Sequence, residues 1–166
     1  MHDTTPAVTS TEYRFFADAM LGSLARWLRI LGYDTEYVRD VDDDELVRRC
    51  REQERIALTK DRRLASRKQL ARVLLIGGES LGVQLREVLA LTGDDPQAAS
   101  LHSRCVECNG VLDPAPRADV RDHVPPYVFR TQERFRRCRR CGRIYWAGTH
   151  RERMLGRLSR LLSEVP

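Results

Sequence analysis

The feature that most constrains the fold is a regular alternation of short apolar runs with longer amphipathic runs between residues 13 and 92. The short runs are typical of buried strands, whereas the longer runs place leucines at helical spacing. We predict strands over 13–17, 35–38, 56–59 and 73–76, and helices over 19–31, 43–53, about 63–70 and from about 81 onward. Parallel neighbours need crossover connections, so this order predicts a mostly parallel sheet with helices on both faces.

The chain changes character after residue 92. The segment 93–103 contains Gly, Asp, Pro and small residues without periodicity, which is typical of a linker. A chain of 166 residues allows one ordinary domain and a small appended module. We therefore predict a disordered tail over 1–12, a sheet domain over 13–92, a linker over 93–103, a small module over 104–150 and a helix over 151–166.

Four of the five cysteines lie in the small module as two C-x2-C pairs, Cys105 with Cys108 and Cys138 with Cys141. Each pair can place two thiolates on one tight turn, and two such turns form the tetrahedral sulfur cage that Zn²⁺ prefers. Four protein ligands leave no open coordination position, so we predict a structural zinc ion. The 29 residues between the pairs exceed the commonest spacing and predict an inserted hairpin or loop around 113–127.

Alternatives for the cysteines stay open. A single C-x-x-C pair can be a redox dithiol, although two matched pairs favour a metal. His123 and His150 could replace thiolates, but four cysteines suffice, and a hydrogen-bonded structural role is the simpler interpretation for both. Cys50 lies at helical spacing from apolar neighbours in the second helix and is interpreted as a small core residue.

Acidic residues follow three of the predicted strands. Asp18 follows the first, the run Asp42, Asp43 and Asp44 follows the second, and Asp61 follows the third. Ligands of open parallel sheets bind beyond the carboxyl ends of the strands. Three carboxylates converging there would repel each other unless a hard cation such as Mg²⁺ or Mn²⁺ joined them. Such a site can activate water and stabilise charge on a phosphodiester.

Each of these acidic residues also fits a helix cap. Asp42, with Glu45 three positions later, matches a capping box, Asp43 is an alternative N-cap, and Asp61 could cap the third helix. Asp18 lies beyond the first strand and needs a separate explanation. The pattern of residues leaves the metal and capping interpretations about equally open.

Positive charge is concentrated in the second part of the chain. From residue 101 onward, 14 arginines and no lysine oppose seven acidic residues, a net charge of +7, whereas the first hundred residues carry −2. A cluster dense enough to attract nucleic acid lies at Arg134, Arg136, Arg137, Arg139, Arg140 and Arg143. A solvated surface is the alternative interpretation.

The sequence argues against several classes of protein. No run approaches the roughly 20 apolar residues of a membrane span, so no membrane partner is expected. The glycine patterns of dinucleotide and P-loop sites are missing, and so is the G-x-S-x-G pattern of serine hydrolases. No secretory signal is visible at the start, which predicts a cytoplasmic and reducing location.

Four segments together resemble one known family. They read FADAMLGSLARWLR at 16–29, LTKD at 58–61, RCVECN at 104–109 and CRRCGRIYWAGTH at 138–150. From residue 13 to about 154 the chain is similar to the Mut-seven C-terminal family, whose members are PIN-like RNase domains with a C-terminal zinc ribbon. The resemblance implies an α/β fold, a PIN-like three-layer sandwich with a mostly parallel sheet, plus a small C-terminal zinc ribbon.

The resemblance also implies a metal-dependent ribonuclease that hydrolyses RNA phosphodiester bonds. The implied catalytic residues hold Mg²⁺ or Mn²⁺ through Asp18, Asp61 and an acidic residue at the start of the second helix, for which Asp43 comes first and Asp44 next. Thr59 would orient Asp61 or a water ligand of the metal. Many PIN domains have a fourth acidic residue, for which Glu79 and Glu87 are the candidates in this sequence.

RNA is the expected partner, and its phosphates would meet basic residues of both parts of the chain. These are Arg26, Lys60 and Arg62 in the sheet domain and Arg136, Arg137, Arg139 and Arg140 in the ribbon. We expect the sheet domain to cut RNA and the ribbon to bind or position it. The alternatives are an RNA-binding or adaptor protein that does not cleave, and a nuclease that needs a protein partner or ribosome-associated machinery.

Overall fold

The computed structural model describes residues 13–95, 103–146 and 150–163, apart from the side chains of residues 150 and 151. The tail predicted over 1–12 lies outside these described residues, as do most of the predicted linker, residues 147–149 of the ribbon and the last three residues. No helix in the described part of the chain is long and apolar enough to cross a membrane.

The elements of the sheet domain come in the predicted order. They are β1 (Arg14–Ala17), a 3₁₀ turn (Ala19–Leu21), α1 (Gly22–Ile30), β2 (Asp34–Tyr37), α2 (Asp43–Glu52), β3 (Ile56–Thr59), α3 (Arg62–Ala65), β4 (Val73–Leu75) and α4 (Leu81–Thr92). Each strand lies within one residue of its predicted bounds. The third helix is much shorter than predicted, because the Ser66 hydroxyl donates to the carbonyl oxygen of Arg63 and ends it.

The four strands form one parallel sheet in the order β2-β1-β3-β4. Side chains alternate across it, as the strand period of two requires. Phe15 and Leu58 face a core shared with α1 and α4, whereas Phe16 and Ala57 face a second core shared with α2 and α3. The structure confirms the three-layer α/β sandwich with a mostly parallel sheet.

The second part of the chain begins with a three-stranded antiparallel sheet. Its elements are β5 (Leu112–Ala115), α5 (Arg117–Val120), a 3₁₀ turn (Arg121–His123), α6 (Pro126–Thr131), β6 (Phe135–Cys138), β7 (Ile144–Trp146) and α7 (His150–Ser163). The segment inserted between the cysteine pairs therefore contains β5 and two short helices, where a hairpin or loop was predicted. Val120, Val124 and Phe135 form a small core beneath it.

The C-terminal helix α7 returns to the sheet domain. Leu158 is 2% exposed and belongs to the same core as Leu24 and Leu28 of α1. The Arg86 side chain on α4 donates to the carbonyl oxygen of Leu162 at 2.8 Å. The layer that covers this face of the sheet thus consists of α1, α4 and α7.

Polar contacts fix the first cysteine turn against the sheet domain. The guanidinium of Arg29 on α1 donates to the carbonyl oxygens of Val106 and Glu107, each at 3.0 Å. The Asn109 side chain accepts from the backbone N–H of Thr35 at 2.9 Å and donates to Asp34 at 2.7 Å. Because β2 is an edge strand, Asn109 takes the place of a neighbouring backbone on it.

Candidate active site and cysteine cage

The pairing of β1 with β3 brings the first two predicted site residues together. Ala17 pairs with Leu58, so each strand's next residue lies at the carboxyl edge of the sheet. The backbone N–H of Asp18 donates to the carbonyl oxygen of Leu58 at 3.0 Å. Asp18 and Thr59 are therefore neighbours, although 41 positions separate them in the chain.

The Thr59 hydroxyl connects two of the predicted carboxylate residues. It donates to Asp18 Oδ2 at 2.5 Å and accepts from the backbone N–H of Asp61 at 2.9 Å. Asp18 Oδ1 accepts from the backbone N–H of Met20 at 2.7 Å. Thr59 is fully buried and Asp18 only 8% exposed, so the carboxylate of Asp18 is held in one orientation. Thr59 thus contacts the side chain of Asp18 and the backbone of Asp61.

Asp61 has the capping role that the sequence left open. Its Oδ1 accepts from the backbone N–H of Arg63 at 2.7 Å and from that of Leu64 at 3.4 Å at the start of α3. Its Oδ2 has no hydrogen-bond partner among the described residues. A carboxylate can cap a helix with one oxygen and bind a cation with the other, so the two interpretations of Asp61 are compatible.

The acidic run at the start of α2 divides into different roles. Asp42 is the N-cap, and its Oδ1 accepts from the backbone N–H of Glu45 at 2.8 Å. The other half of the capping box is not formed, since Glu45 pairs with arginines one turn along the helix. Asp44 forms an ion pair with Arg67. Asp43 is exposed and makes no side-chain hydrogen bond or ion pair with the described residues, although its charge helps to raise the pKa of Arg67.

Two further acidic residues lie near the end of β4. Glu79 forms an ion pair of 3.1 Å with Lys60, one of the predicted phosphate contacts, and its own side chain is 90% exposed. Glu87 Oε1 accepts from the backbone N–H of Gly77 at 3.2 Å. Its Oε2 is buried with no hydrogen-bond partner among the described residues. An unpaired buried carboxylate oxygen is costly, which makes Glu87 the better candidate for a fourth acidic residue.

The predicted carboxylates are not packed as tightly as a preformed cage. In the described ranges, only the four cysteines bring three or more candidate ligand atoms within 4.8 Å of one another. Asp18, Asp43 and Asp61 do not form such a group, and their role as one ligand set stays a prediction. Like charges at a partly exposed edge repel each other, which favours separation of their side chains.

The four cysteines come together as their spacing predicted. The sulfur atoms of Cys105 and Cys141 lie 3.7 Å apart, and those of Cys108 and Cys138 lie 3.4 Å apart. Four Zn–S bonds of about 2.3 Å in a tetrahedron place sulfur atoms about 3.8 Å apart. The cage therefore has the size and ligand type that suit zinc.

The backbone around the cage is shaped for close approach to sulfur. A Cβ on Gly110 would lie 2.6 Å from Cys138 Sγ and 3.3 Å from Cys108 Sγ, so only glycine fits at this position. Asn109 has a φ of 65°, a left-handed conformation that asparagine tolerates better than most residues.

The thiols influence one another's ionisation. Burial opposes ionisation of Cys105, but hydrogen bonds from the Tyr145 hydroxyl and from backbone N–H groups lower its pKa to about 7. Burial, together with the adjacent thiols, raises the pKa of Cys108 to about 12. Four sulfurs this close cannot all carry negative charge by themselves, whereas a coordinated cation deprotonates each of them. The cluster could accordingly hold a metal such as zinc.

The arginines of the ribbon are largely engaged within it. Arg139 forms an ion pair with Asp113, Arg140 donates to the carbonyl oxygen of Cys108 at 3.1 Å, and Arg137 donates to that of Asp119 at 2.9 Å. Arg136 lies exposed on β6. In the sheet domain, Arg62 is exposed at the start of α3, and Arg26 forms an ion pair of 3.3 Å with Glu107.

A comparison against known protein families identifies the family to which this chain is related. The family model described as the Mut7-C RNAse domain matches residues 13–158. The chain belongs to this family. The match spans the Mut7-C sheet domain, the cysteine cage and most of α7, so the family unit includes the helix that returns to the sheet. Comparisons with curated proteins and with solved structures give no match.

Membership in the Mut7-C family indicates a ribonuclease-type function and implies RNA as the substrate. Sequence reasoning missed the contacts that join the two parts of this Mut7-C chain. In the sequence, Arg29 and Asn109 were each only the last residue of a segment that resembles the family. The asparagine directly after the first C-x2-C pair was the available signal, but a sequence does not say which strand such a side chain will reach.

Proposed function

We propose that this chain is a divalent-metal-dependent ribonuclease that hydrolyses RNA phosphodiester bonds at the carboxyl edge of its parallel sheet. The observation that carries the proposal is the hydrogen-bond chain from the buried carboxylate of Asp18 through Thr59 to the backbone of Asp61, in a chain of the Mut7-C RNase family. A carboxylate fixed by two donors is suited to hold a cation in a defined position.

The residues present fit a hard cation. Asp18 supplies an oriented carboxylate, Asp61 an oxygen that its capping bonds leave free, and Asp43 an exposed carboxylate without a hydrogen bond or ion pair in the described residues. Glu87 adds a buried oxygen that lacks a hydrogen bond. Oxygen donors of this kind select Mg²⁺ or Mn²⁺, and such an ion supplies charge neutralisation of the phosphate and activation of the attacking water.

The remaining roles follow from charge and position. Arg62 and Lys60 lie directly beside Asp61 and would contact the phosphates that flank the cleaved bond. The zinc-loaded ribbon would position the RNA, held against the sheet domain by Arg29 and Asn109. We expect the protein to act in the cytoplasm, where reducing conditions preserve the thiolates of the cage.

A second candidate function is RNA binding without cleavage. The observation that favours it is the spacing of the carboxylates, which do not form a tight ligand group in the described ranges. Under this alternative, the capping bonds of Asp42 and Asp61 and the ion pair of Asp44 would account for most of the acidic residues. The two functions differ in one measurable property, which is phosphodiester hydrolysis.

The test is incubation of the purified protein with end-labelled single-stranded and structured RNAs, with and without Mn²⁺. We expect metal-dependent cleavage by the unmodified chain. Asp18→Asn and Asp61→Asn should each lower the cleavage rate at least about 100-fold, the scale on which loss of transition-state charge stabilisation acts. RNA affinity should be unchanged or higher, because removing negative charge reduces repulsion of phosphate.

Asp122→Asn is the matched control, because Asp122 is an exposed aspartate on the short 3₁₀ turn of the ribbon, outside the proposed site. It makes the same change of charge and should cleave at the unmodified rate. Equal cleavage by all variants would refute the assignment of the site. Binding of RNA without any cleavage by the unmodified chain would favour the second function.

A further inference from the structure

A cleft lies where three parts of the molecule meet, and we call it the junction cleft. Its walls are α1 of the sheet domain, the first cysteine turn with β7 of the ribbon, and the first turns of α7. Its volume is about 560 Å³. That is within the range of sites that hold ligands of about nucleotide size.

The junction cleft is strongly basic. Four of its lining residues are exposed arginines, Arg26, Arg143, Arg153 and Arg157, and Glu107 is the one acidic residue among the described residues that line it. Glu107 pairs with Arg26 at 3.3 Å, which leaves three positive charges uncompensated by a carboxylate within the cleft. A cleft with this charge is complementary to an anion that carries several charges.

The same cleft presents aromatic surface. Tyr145 and Trp146 of β7 are half-buried and line it, and the buried Trp27 of α1 also lines it. The guanidinium of Arg157 lies over the Trp27 ring at 5.8 Å from the ring centre. Alternating aromatic and arginine side chains are what proteins use to stack single-stranded bases and to contact the phosphates between them.

One end of the junction cleft lies near the carboxyl edge of the parallel sheet, where Asp18 is located. Its wall on α1 runs from Ser23 to Ile30. Ser23 is five positions after Asp18, at the end of α1 that lies nearest to the carboxylates. At 1.5 Å per residue this wall is about 10 Å long, roughly the length of three stacked nucleotides at about 3.4 Å each.

We propose that the junction cleft binds a single-stranded segment of the RNA substrate, with Arg143 and Arg153 contacting phosphates and Trp146 stacking on a base. The inference rests on the proposed ribonuclease function and names where that substrate is held. It assigns RNA contact to arginines that make no side-chain bond within the described residues. Arg137, Arg139 and Arg140, by contrast, are bonded within the ribbon.

Single-stranded RNA fits the cleft better than a duplex. The bases of a duplex are stacked on each other, so aromatic side chains cannot reach their faces. An isolated strand exposes those faces, and stacking on an aromatic ring does not depend on sequence. The cleft is therefore expected to favour unpaired RNA with little base preference.

The loss of RNA affinity expected when one arginine is replaced can be estimated from counterion release. For single strands, each phosphate contact contributes about 0.7 to the slope of log affinity against log salt, which is about fivefold in affinity at 0.1 M salt. Loss of two contacts should therefore weaken binding roughly 25-fold and lower the slope by about 1.4. A general loss of net charge far from the RNA would produce neither change at this size.

The test measures binding separately from cleavage. Every variant carries Asp18→Asn and is loaded with zinc, and fluorescence anisotropy follows a short labelled oligouridine without Mg²⁺ or Mn²⁺. The test variant is Arg143→Gln with Arg153→Gln. The matched control is Arg51→Gln with Arg130→Gln, which removes the same charge at exposed positions of α2 and α6, outside the cleft. Circular dichroism and zinc content confirm that each variant is folded.

A loss near 25-fold in the test variant, with a control within about twofold of the parent, supports the inference. Equal losses in both variants overturn it, because the contribution would then be general charge. Equal binding of an RNA duplex, with an equal loss in the test variant, also overturns the single-strand assignment. If the unmodified chain does not cleave RNA but the test variant still loses binding selectively, the ribonuclease proposal fails and the cleft assignment is supported.

Discussion

Replacement of Asn109 tests whether the cysteine module is an integral part of the fold. Asn109 follows the first C-x2-C pair, is 5% exposed and reaches across to the edge strand β2. Its side-chain amide accepts from the backbone N–H of Thr35 and donates to Asp34. Arg55 and Arg104 also form ion pairs with Asp34. Asn109→Gly removes both bonds and keeps the left-handed backbone conformation accessible.

The size of the loss can be estimated from the two bonds. Leaving the buried N–H of Thr35 unpaired costs about 1–3 kcal/mol, and a hydrogen bond to a charged group is worth about 1.5–3 kcal/mol. Arg55 and Arg104 still pair with Asp34 in the variant, so we expect a total near the lower end of the two ranges added together. This is a loss of about 3 kcal/mol in the free energy of unfolding. Asn109→Ala should cost roughly 1 kcal/mol more, since alanine in a left-handed conformation is strained.

The assay is urea unfolding of the zinc-loaded protein followed by circular dichroism. With a typical slope near 2 kcal/mol per M, Asn109→Gly should lower the midpoint by about 1.5 M, and Asn109→Ala should lower it further. Asn109→Asp keeps an acceptor for Thr35 but brings a second carboxylate against Asp34, so it should also destabilise the fold. Zinc content measured before unfolding confirms that the cage itself is intact.

The comparison between glycine and alanine provides the refutation. A midpoint for Asn109→Gly within about 0.3 M of the unmodified protein would mean that the contacts with β2 add nothing to stability. A glycine variant less stable than the alanine variant would contradict the argument from backbone conformation. The first result would leave Arg29 and α7 as the contacts that join the ribbon to the sheet domain.

Two further outcomes follow from the cage and from the buried ion pair. Cys105→Ser should lose bound zinc and unfold the ribbon, because metal binding supplies its folding energy. Cys50→Ala is the control, because Cys50 lies away from the cage and burial raises the pKa of its thiol to about 11. An unchanged metal content in Cys105→Ser would contradict the zinc site. Burial alone would raise the pKa of Asp34, but hydrogen bonds from Arg55 and Asn109 hold it below its usual range. A lowered carboxyl pKa stabilises the fold above the unfolded pKa, so this contribution should disappear as the pH falls below about 4. Asp34→Asn should flatten that decline in acid unfolding curves, and an identical decline in both proteins would contradict the assignment.

The sheet domain was predictable because its elements are encoded locally. Short apolar runs and leucines with a helical period predicted the order of strands and helices, and parallel pairing followed from the need for crossovers. The third helix was predicted too long because periodicity alone does not register the side-chain bond with which Ser66 ends it. The sequence also predicted that Asp42 and Asp61 could cap helices, but it did not indicate which other residues their side chains would contact.

The cysteine cage was predictable for a different reason. A tetrahedral metal site demands four sulfurs at fixed short distances, and two C-x2-C turns are a compact way to supply them. The helices inserted between the cysteine pairs were not predicted. The length of the 29-residue gap shows that a long segment connects the pairs, but it does not determine which secondary structure that segment forms. The need for glycine at position 110 follows from the tertiary structure, in which a Cβ there would lie 2.6 Å from Cys138 Sγ.

The sequence by itself determined the α/β sandwich, the cysteine cage and the placing of acidic residues after the strands, because each depends on spacing within one short segment. Tertiary structure decided which distant residues meet. The hydroxyl of Thr59 reaches Asp18 through the register of β1 with β3, and α7 joins the sheet domain through the burial of Leu158 and the bond from Arg86 to Leu162. The junction cleft has the same origin, since α1, the first cysteine turn and the neighbouring elements β7 and α7 lie far apart in the chain. Such contacts depend on packing and register, which residue spacing along the chain does not contain.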